Sequence, residues 1–135
     1  GPRGLPLIKP PYSRMTAYDM NRGEIVWQTP TGPGADWIRD HPALAGLDLP
    51  PLGGQHTTSG PLVTSTLLVH GLGPAGRDDS AWLGAYDKAT GAVLGRVALP
   101  ARPLGTPMTY MVDGRQFIVL TLQGAQMVAL ALPSR

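Results

Sequence analysis

An eleven-residue pattern occurs twice in this chain and constrains its fold more than any other feature. Residues Ala17-Tyr18-Asp19-Met20-Asn21-Arg22-Gly23-Glu24-Ile25-Val26-Trp27 return as Ala85-Tyr86-Asp87-Lys88-Ala89-Thr90-Gly91-Ala92-Val93-Leu94-Gly95. Each copy runs Ala-Tyr-Asp, three variable residues, Gly, and then a short apolar stretch. That order predicts a β-hairpin. Asp19 and Asp87 accept backbone N–H groups inside the turn, and Gly23 and Gly91 supply the positive φ that closes it. The flanks, Ile25-Val26 and Val93-Leu94, are β-branched or aliphatic, as pleated strands favour. Trp27 ends the first copy with a large apolar ring whose single N–H needs an acceptor once buried.

A repeated hairpin with an aromatic residue at a fixed offset is the pattern of blades in a β-propeller. Composition agrees with an all-β chain. Among 135 residues there are 18 glycines and 15 prolines, which break helices, while 42% of residues are apolar, too many and too well alternated for disorder. The length suffices for a core. Only 15% of residues are charged and the net charge is +2, with Lys and Arg scattered singly. No basic stripe exists to bind nucleic acid. Cysteine is absent, which excludes disulfides and thiolate chemistry. No apolar run approaches the ~18 residues of a membrane span, and the start of the chain has no signal-peptide pattern.

Four segments follow along the chain. After an extended, proline-rich stretch to Pro11, residues 13–29 read as two strands ending one blade. Residues 30–54 form a long loop rich in proline and glycine; loops of about 25 residues are unusual inside compact domains and often functional. Within it, residues 35–42 can form one helical turn that Pro42 ends. Residues 57–99 read as a full four-stranded blade, with strands at 57–63, 66–70, 82–86 and 92–99 and a Gly/Asp-rich turn at 72–80. Residues 105–133 supply three strands of a closing blade, at 108–112, 116–122 and 126–132, with Asp113-Gly114 as a hairpin turn. The expected tally is two strands, then four, then three, in one propeller segment.

Four stretches together resemble the C-terminal part of the quinoprotein dehydrogenases, enzymes dependent on pyrroloquinoline quinone, and most nearly their membrane-bound glucose dehydrogenase type. They are Gly4-Leu5-Pro6-Leu7-Ile8-Lys9-Pro10-Pro11-Tyr12, the two hairpin motifs, and Gly105-Thr106-Pro107-Met108-Thr109-Tyr110 followed by Asp113-Gly114-Arg115-Gln116-Phe117-Ile118-Val119. The resemblance implies an eight-bladed propeller of four-stranded antiparallel blades. In that family the hairpin is the tryptophan-docking motif, whose ring locks one blade against the next. Gly95 stands where the second docking tryptophan belongs. The family also commonly places a tryptophan before a Gly-Gly that approaches the quinone; here the matching stretch is Pro50-Pro51-Leu52-Gly53-Gly54, without an aromatic, as in the glucose dehydrogenase branch.

By that resemblance Gly53, Gly54 and the neighbouring His56 are the expected cofactor-binding residues, and pyrroloquinoline quinone is the expected cofactor. The calcium ligands, the catalytic carboxylate and most quinone contacts of the family are expected outside this chain, on its upstream side. The catalytic residues are therefore unknown, and no metal site is expected here. The resemblance further implies a periplasmic parent protein and a sugar or alcohol substrate.

Other constellations are weaker. Asp36, Asp40 and His41 share one possible helical turn, but two carboxylates and one imidazole fall short of a ligand set and read as a solvated face. Asp78-Asp79 reads as turn capping. His70 reads as structural. Thr57, Thr58 and Ser59 beside His56 lack the orienting third group of a nucleophilic site. Gly71-Leu72-Gly73-Pro74-Ala75-Gly76 has dinucleotide-like spacing without the following helix. Isolated, the chain is expected to be inactive and to associate with the rest of a propeller or with further copies of itself, because incomplete sheets expose strand edges. An alternative function from another class is a non-catalytic propeller scaffold that presents loops or edges to proteins. The Lys9-Pro10-Pro11-Tyr12 and Gly105–Tyr110 stretches favour the enzyme.

Overall fold

Both copies of the repeated motif form antiparallel hairpins in the computed structural model, which describes residues 1–54, 59–74 and 80–133. In the first, β1 (Arg14–Asp19) pairs with β2 (Glu24–Pro30). Asp19 Oδ1 accepts the amides of Asn21 at 2.9 Å and Arg22 at 3.2 Å. In the second, β5 (Ala81–Asp87) pairs with β6 (Val93–Leu99). Asp87 Oδ1 accepts the Ala89 amide, the Thr90 amide and the Thr90 hydroxyl at 3.0, 2.8 and 2.8 Å. Gly23 and Gly91 take φ of 68° and 72° and donate their amides to Asp19 and Asp87. Even the irregularity repeats. The register shifts after Ala17 in one hairpin and after Ala85 in the other, so that Ala17 faces Trp27 and Ala85 faces Gly95.

The fold is all-β, a β-propeller segment of three antiparallel sheets. The first holds β1 and β2. The second has the order β3-β4-β5-β6, with β3 at Leu62–Val63 and β4 at Leu67–Leu72. The third has the order β7-β8-β9, comprising Pro103–Val112, Arg115–Leu122 and Gln126–Ala131. The turn expected at Asp113-Gly114 is present, with φ of 48° and 75°.

Several boundaries differ from the sequence reading, each for a physical reason. β4 runs past His70 to Leu72, because Gly71 and Leu72 pair with Leu83 and Trp82. β7 begins at Pro103 rather than at Met108. Pro103, Gly105 and Pro107 look like breakers, yet β7 is an edge strand, where a missing N–H is tolerated. Gly105, at φ 70°, absorbs the register shift between Leu104 and Met108. β3 is confined to Leu62–Val63; residues 57 and 58 of the expected strand, and residues 75–79 of the expected turn, lie outside the described residues.

The chain divides into two compact units, one holding residues 1–54 and the other residues 59–73 and 80–133. The first unit's core joins Ala35, Ile38 and Leu52. It is built on a four-residue helix, α1 (Asp36–Arg39), the single helical turn expected within residues 35–42. The second unit's core lies between the four-stranded and three-stranded sheets. Val69, Ala81, Leu83 and Leu99 on one side meet Ile118, Leu120 and Leu122 on the other. β4 is buried on consecutive residues from Leu68 to Leu72, and β8 from Ile118 to Leu120, as in strands covered on both faces.

Candidate functional site

Gly53 and Gly54 lie in the first unit at the end of the long loop, which is stitched to two other segments by backbone amides. The Leu52 amide donates to the Pro33 carbonyl at 2.9 Å, and the Gly53 amide to the Gly32 carbonyl at 3.1 Å. The Gly54 amide donates to Ser13 Oγ at 2.7 Å, the Tyr12 amide to the Leu52 carbonyl at 2.7 Å, and the Thr31 amide to the Ser13 carbonyl at 3.1 Å. Ser13 Oγ also meets Thr31 Oγ1. Ser13 is thus a hub that ties the start of β1, the end of β2 and the Gly-Gly turn together.

Both glycines have backbone reasons for their identity. Gly53 has φ 66°, and a Cβ there would lie 2.2 Å from the Ser13 carbonyl oxygen. Gly54 has φ 97°, and a Cβ there would only touch the Tyr12 side chain, at 3.5 Å from its Cβ and 3.8 Å from its ring. Their amides point inward and are already used. Arg39 is spent in the same way, donating to the carbonyls of Pro33 and Pro50 at 3.1 and 3.3 Å. His56, the third expected residue, lies outside the described residues.

The remaining candidates divide cleanly. His41 uses both ring nitrogens locally, Nδ1 accepting the Ala43 amide at 3.1 Å and Nε2 lying 3.0 Å from the Arg3 carbonyl. It caps the 3-10 turn Pro42–Leu44, and Asp36 and Asp40 beside it are solvent-exposed. His70 is buried on β4. Its Nε2 lies 3.1 Å from the Ser59 carbonyl, its Nδ1 is buried without a hydrogen-bond partner, and burial pushes its pKa below the ordinary 6.5. An imidazole in that setting is kept neutral.

The sequence profile of the glucose/ethanol/alcohol dehydrogenase β-propeller domain, a pyrroloquinoline-quinone family, matches residues 1–118. The chain belongs to this family. Among curated relatives, the probable quinate dehydrogenase (quinone) of Xanthomonas campestris pv. juglandis is 34% identical, covering 91% of this chain and 15% of its own length. The quinate/shikimate dehydrogenase (quinone) of Acinetobacter baylyi is also 34% identical, with the same 91% and 15% coverage. The quinoprotein glucose dehydrogenase of Escherichia coli is 32% identical over 98% of this chain and 17% of its own length. The chain therefore spans about one sixth of the length of the quinoprotein dehydrogenases it matches.

Family membership implies pyrroloquinoline quinone. The described residues do not by themselves form a pocket for it. A quinone tricarboxylate needs donors, and the Gly53 and Gly54 amides and the Arg39 guanidinium are turned to carbonyl and hydroxyl oxygens of the chain itself. The glycine spacing in the sequence signals a close approach, but the approaching group in this structure is Ser13. Sequence reasoning missed Ser13, because a single serine at the start of a strand carries no pattern.

Proposed function

We propose that this chain is the blade-closing segment of a quinoprotein dehydrogenase that oxidises a sugar or alcohol with pyrroloquinoline quinone beside calcium. One observation carries the reading: a complete four-stranded sheet is flanked in sequence by sheets of two and three strands, within a chain matched over residues 1–118 to a propeller domain. Incomplete sheets of that kind are completed by strands from elsewhere in a propeller or from further copies of the chain. Exposed apolar residues support this: Val93, Leu94 and Val97 on the edge strand β6 are 61%, 58% and 52% accessible, and Met108 and Met111 on the edge strand β7 are 56% and 62%.

In the parent protein the Gly53–Gly54 turn would stand beside the quinone as a wall rather than as a donor, and His56 is kept as a cofactor-binding candidate by the resemblance alone. The quinone supplies hydride acceptance; this segment's part is to hold the wall and exclude water. Quinate, shikimate, glucose and glycerol in the names of the relatives each carry several hydroxyls, so a polyol is the substrate class proposed here. A periplasmic parent is part of the proposal, on the resemblance alone.

The test is a dye-linked turnover assay on the isolated chain with calcium and pyrroloquinoline quinone, using glucose, ethanol and quinate. No turnover above the no-protein control is expected. Turnover would contradict the segment reading and make His56 the first residue to replace.

A further inference from the structure

One imidazole in the second unit is buried with half of its hydrogen-bonding capacity unused. His70 lies on the interior strand β4 and is 9% exposed. Its Nε2 stands 3.1 Å from the Ser59 carbonyl, an oxygen that only accepts, so Nε2 carries the ring proton. Nδ1 is then a bare acceptor, buried without a partner.

The groups beside the ring offer nothing to a cation. Strand register sets His70, Gly84 and Arg96 in one row across β4, β5 and β6. Tyr86 lies over Gly84, where a Cβ would stand 3.1 Å from the tyrosine hydroxyl, and Arg96 is held over the Trp82 ring at 4.5 Å. β3 brings no titratable side chain, and β7 only Tyr110. Among the described residues of the second unit the carboxylates are Asp87 and Asp113. Asp87 pairs with Leu67, on the face of β4 and β5 turned away from His70, and Asp113 is in the turn after β7. A proton taken up at Nδ1 therefore creates a buried cation and a donor with no acceptor.

What the ring holds is a short strap, Ser59–Gly60, that touches both sheets of this unit. A Cβ at Gly71 on β4 would meet Ser59 Oγ at 3.3 Å and the Pro103 side chain at 2.8 Å. A Cβ at Gly60 would meet Thr106 Oγ1 at 2.6 Å. Pro103 and Thr106 both belong to β7. No bulkier residue fits at either glycine without moving the strap or β7.

We propose that His70 and the Ser59–Gly60 strap form an acid-released latch between the four-stranded and three-stranded sheets. The neutral ring donates to the Ser59 carbonyl and keeps the strap seated. The imidazolium leaves its buried position for water, and the strap and the start of β7 loosen with it. Burial holds the His70 pKa below the ordinary 6.5, so the opened chain takes the proton more readily than the closed one. Stability is then full above about pH 6.5 and falls as the pH drops towards the lower folded value. The carboxylate of Asp87, whose ordinary value is 3.8, loses its contribution only at more acid pH, so the two windows are separate.

Thermal melts and amide hydrogen exchange of the full chain between about pH 7 and 5.5 test the latch. The melting point of the parent is expected to fall across this range. That of His70→Gln, which keeps an N–H for Ser59 but does not titrate, is expected to stay level, and His41→Gln to follow the parent. Exchange in residues 59–63, corrected for the intrinsic effect of pH, is expected to rise about threefold or more at the acid end, and exchange in residues 118–120 to rise less. If His70→Gln does not fold, C2–H exchange of the His70 ring in the parent gives its folded pKa directly; a value below 6.5 supports the latch and one at or above it overturns it. A level parent profile, the same fall in folded His70→Gln, or equal acceleration of exchange in the strap and in residues 118–120 would also overturn the proposal.

Discussion

Gly53 and Gly95 are the same residue type under opposite constraints. Gly53 combines φ 66° with a Cβ position 2.2 Å from backbone oxygen, which cannot move aside. Gly53→Ala is expected to cost roughly 3 kcal/mol or more, combining left-handed strain with overpacking. Gly95→Ala meets open space on a strand, and is expected to be neutral or to stabilise by up to about 1 kcal/mol. Urea denaturation of both variants checks the pair; equal effects would contradict the geometry. Asp87 is legible at the same scale. Three hydrogen bonds to its carboxylate, led by the Thr90 hydroxyl, hold its pKa below 3.8. A lowered carboxylate pKa contributes stability that is present above the unfolded value and lost as pH falls through the folded one. Between pH 5 and the acid limit, Asp87→Ala is therefore expected to lose less stability than the parent, starting from a lower melting point; parallel pH profiles would count against the cap. The Asp-to-Gly spacing announced this turn because its chemistry is local. The Ser13 hub stayed hidden because its partners come from positions 31 and 54.

Among the elements, the two hairpins were readable from the sequence, down to the aspartate that organises each turn and the glycine that closes it. Strand starts were less so. β7 carries Pro103, Gly105 and Pro107, and only its place at a sheet edge makes them compatible with pairing. Edge position is a property of the assembled sheet, not of the local sequence. Trp27 belongs to this scale too. It sits on β2 opposite Ala17 and is half-buried. Loss of a fully buried tryptophan ring costs ~3–5 kcal/mol, so about half of that is expected for Trp27→Ala in the isolated chain, a fall of roughly 5–10 °C in Tm. A melting point within a degree or two of the parent would deny Trp27 any docking role.

For the molecule as a whole, the propeller class was legible because two copies of one hairpin repeat within a single chain, and repetition survives uncertain strand ends. At Gly53 the close approach that the Gly-Gly pair announces is made by the chain's own Ser13, a neighbour the local sequence does not specify. Sheets of two and three strands, with apolar residues such as Val93 and Met111 more than half exposed, define the central claim: these strands are one part of a larger ring. Head-to-tail association of such sheets either closes into a ring or continues without limit. Multi-angle light scattering on the purified chain, across a range of concentrations, addresses this most directly. The expected result is a mass well above 14.2 kDa that rises with concentration; a monodisperse, cooperatively melting monomer would contradict the incomplete-propeller account.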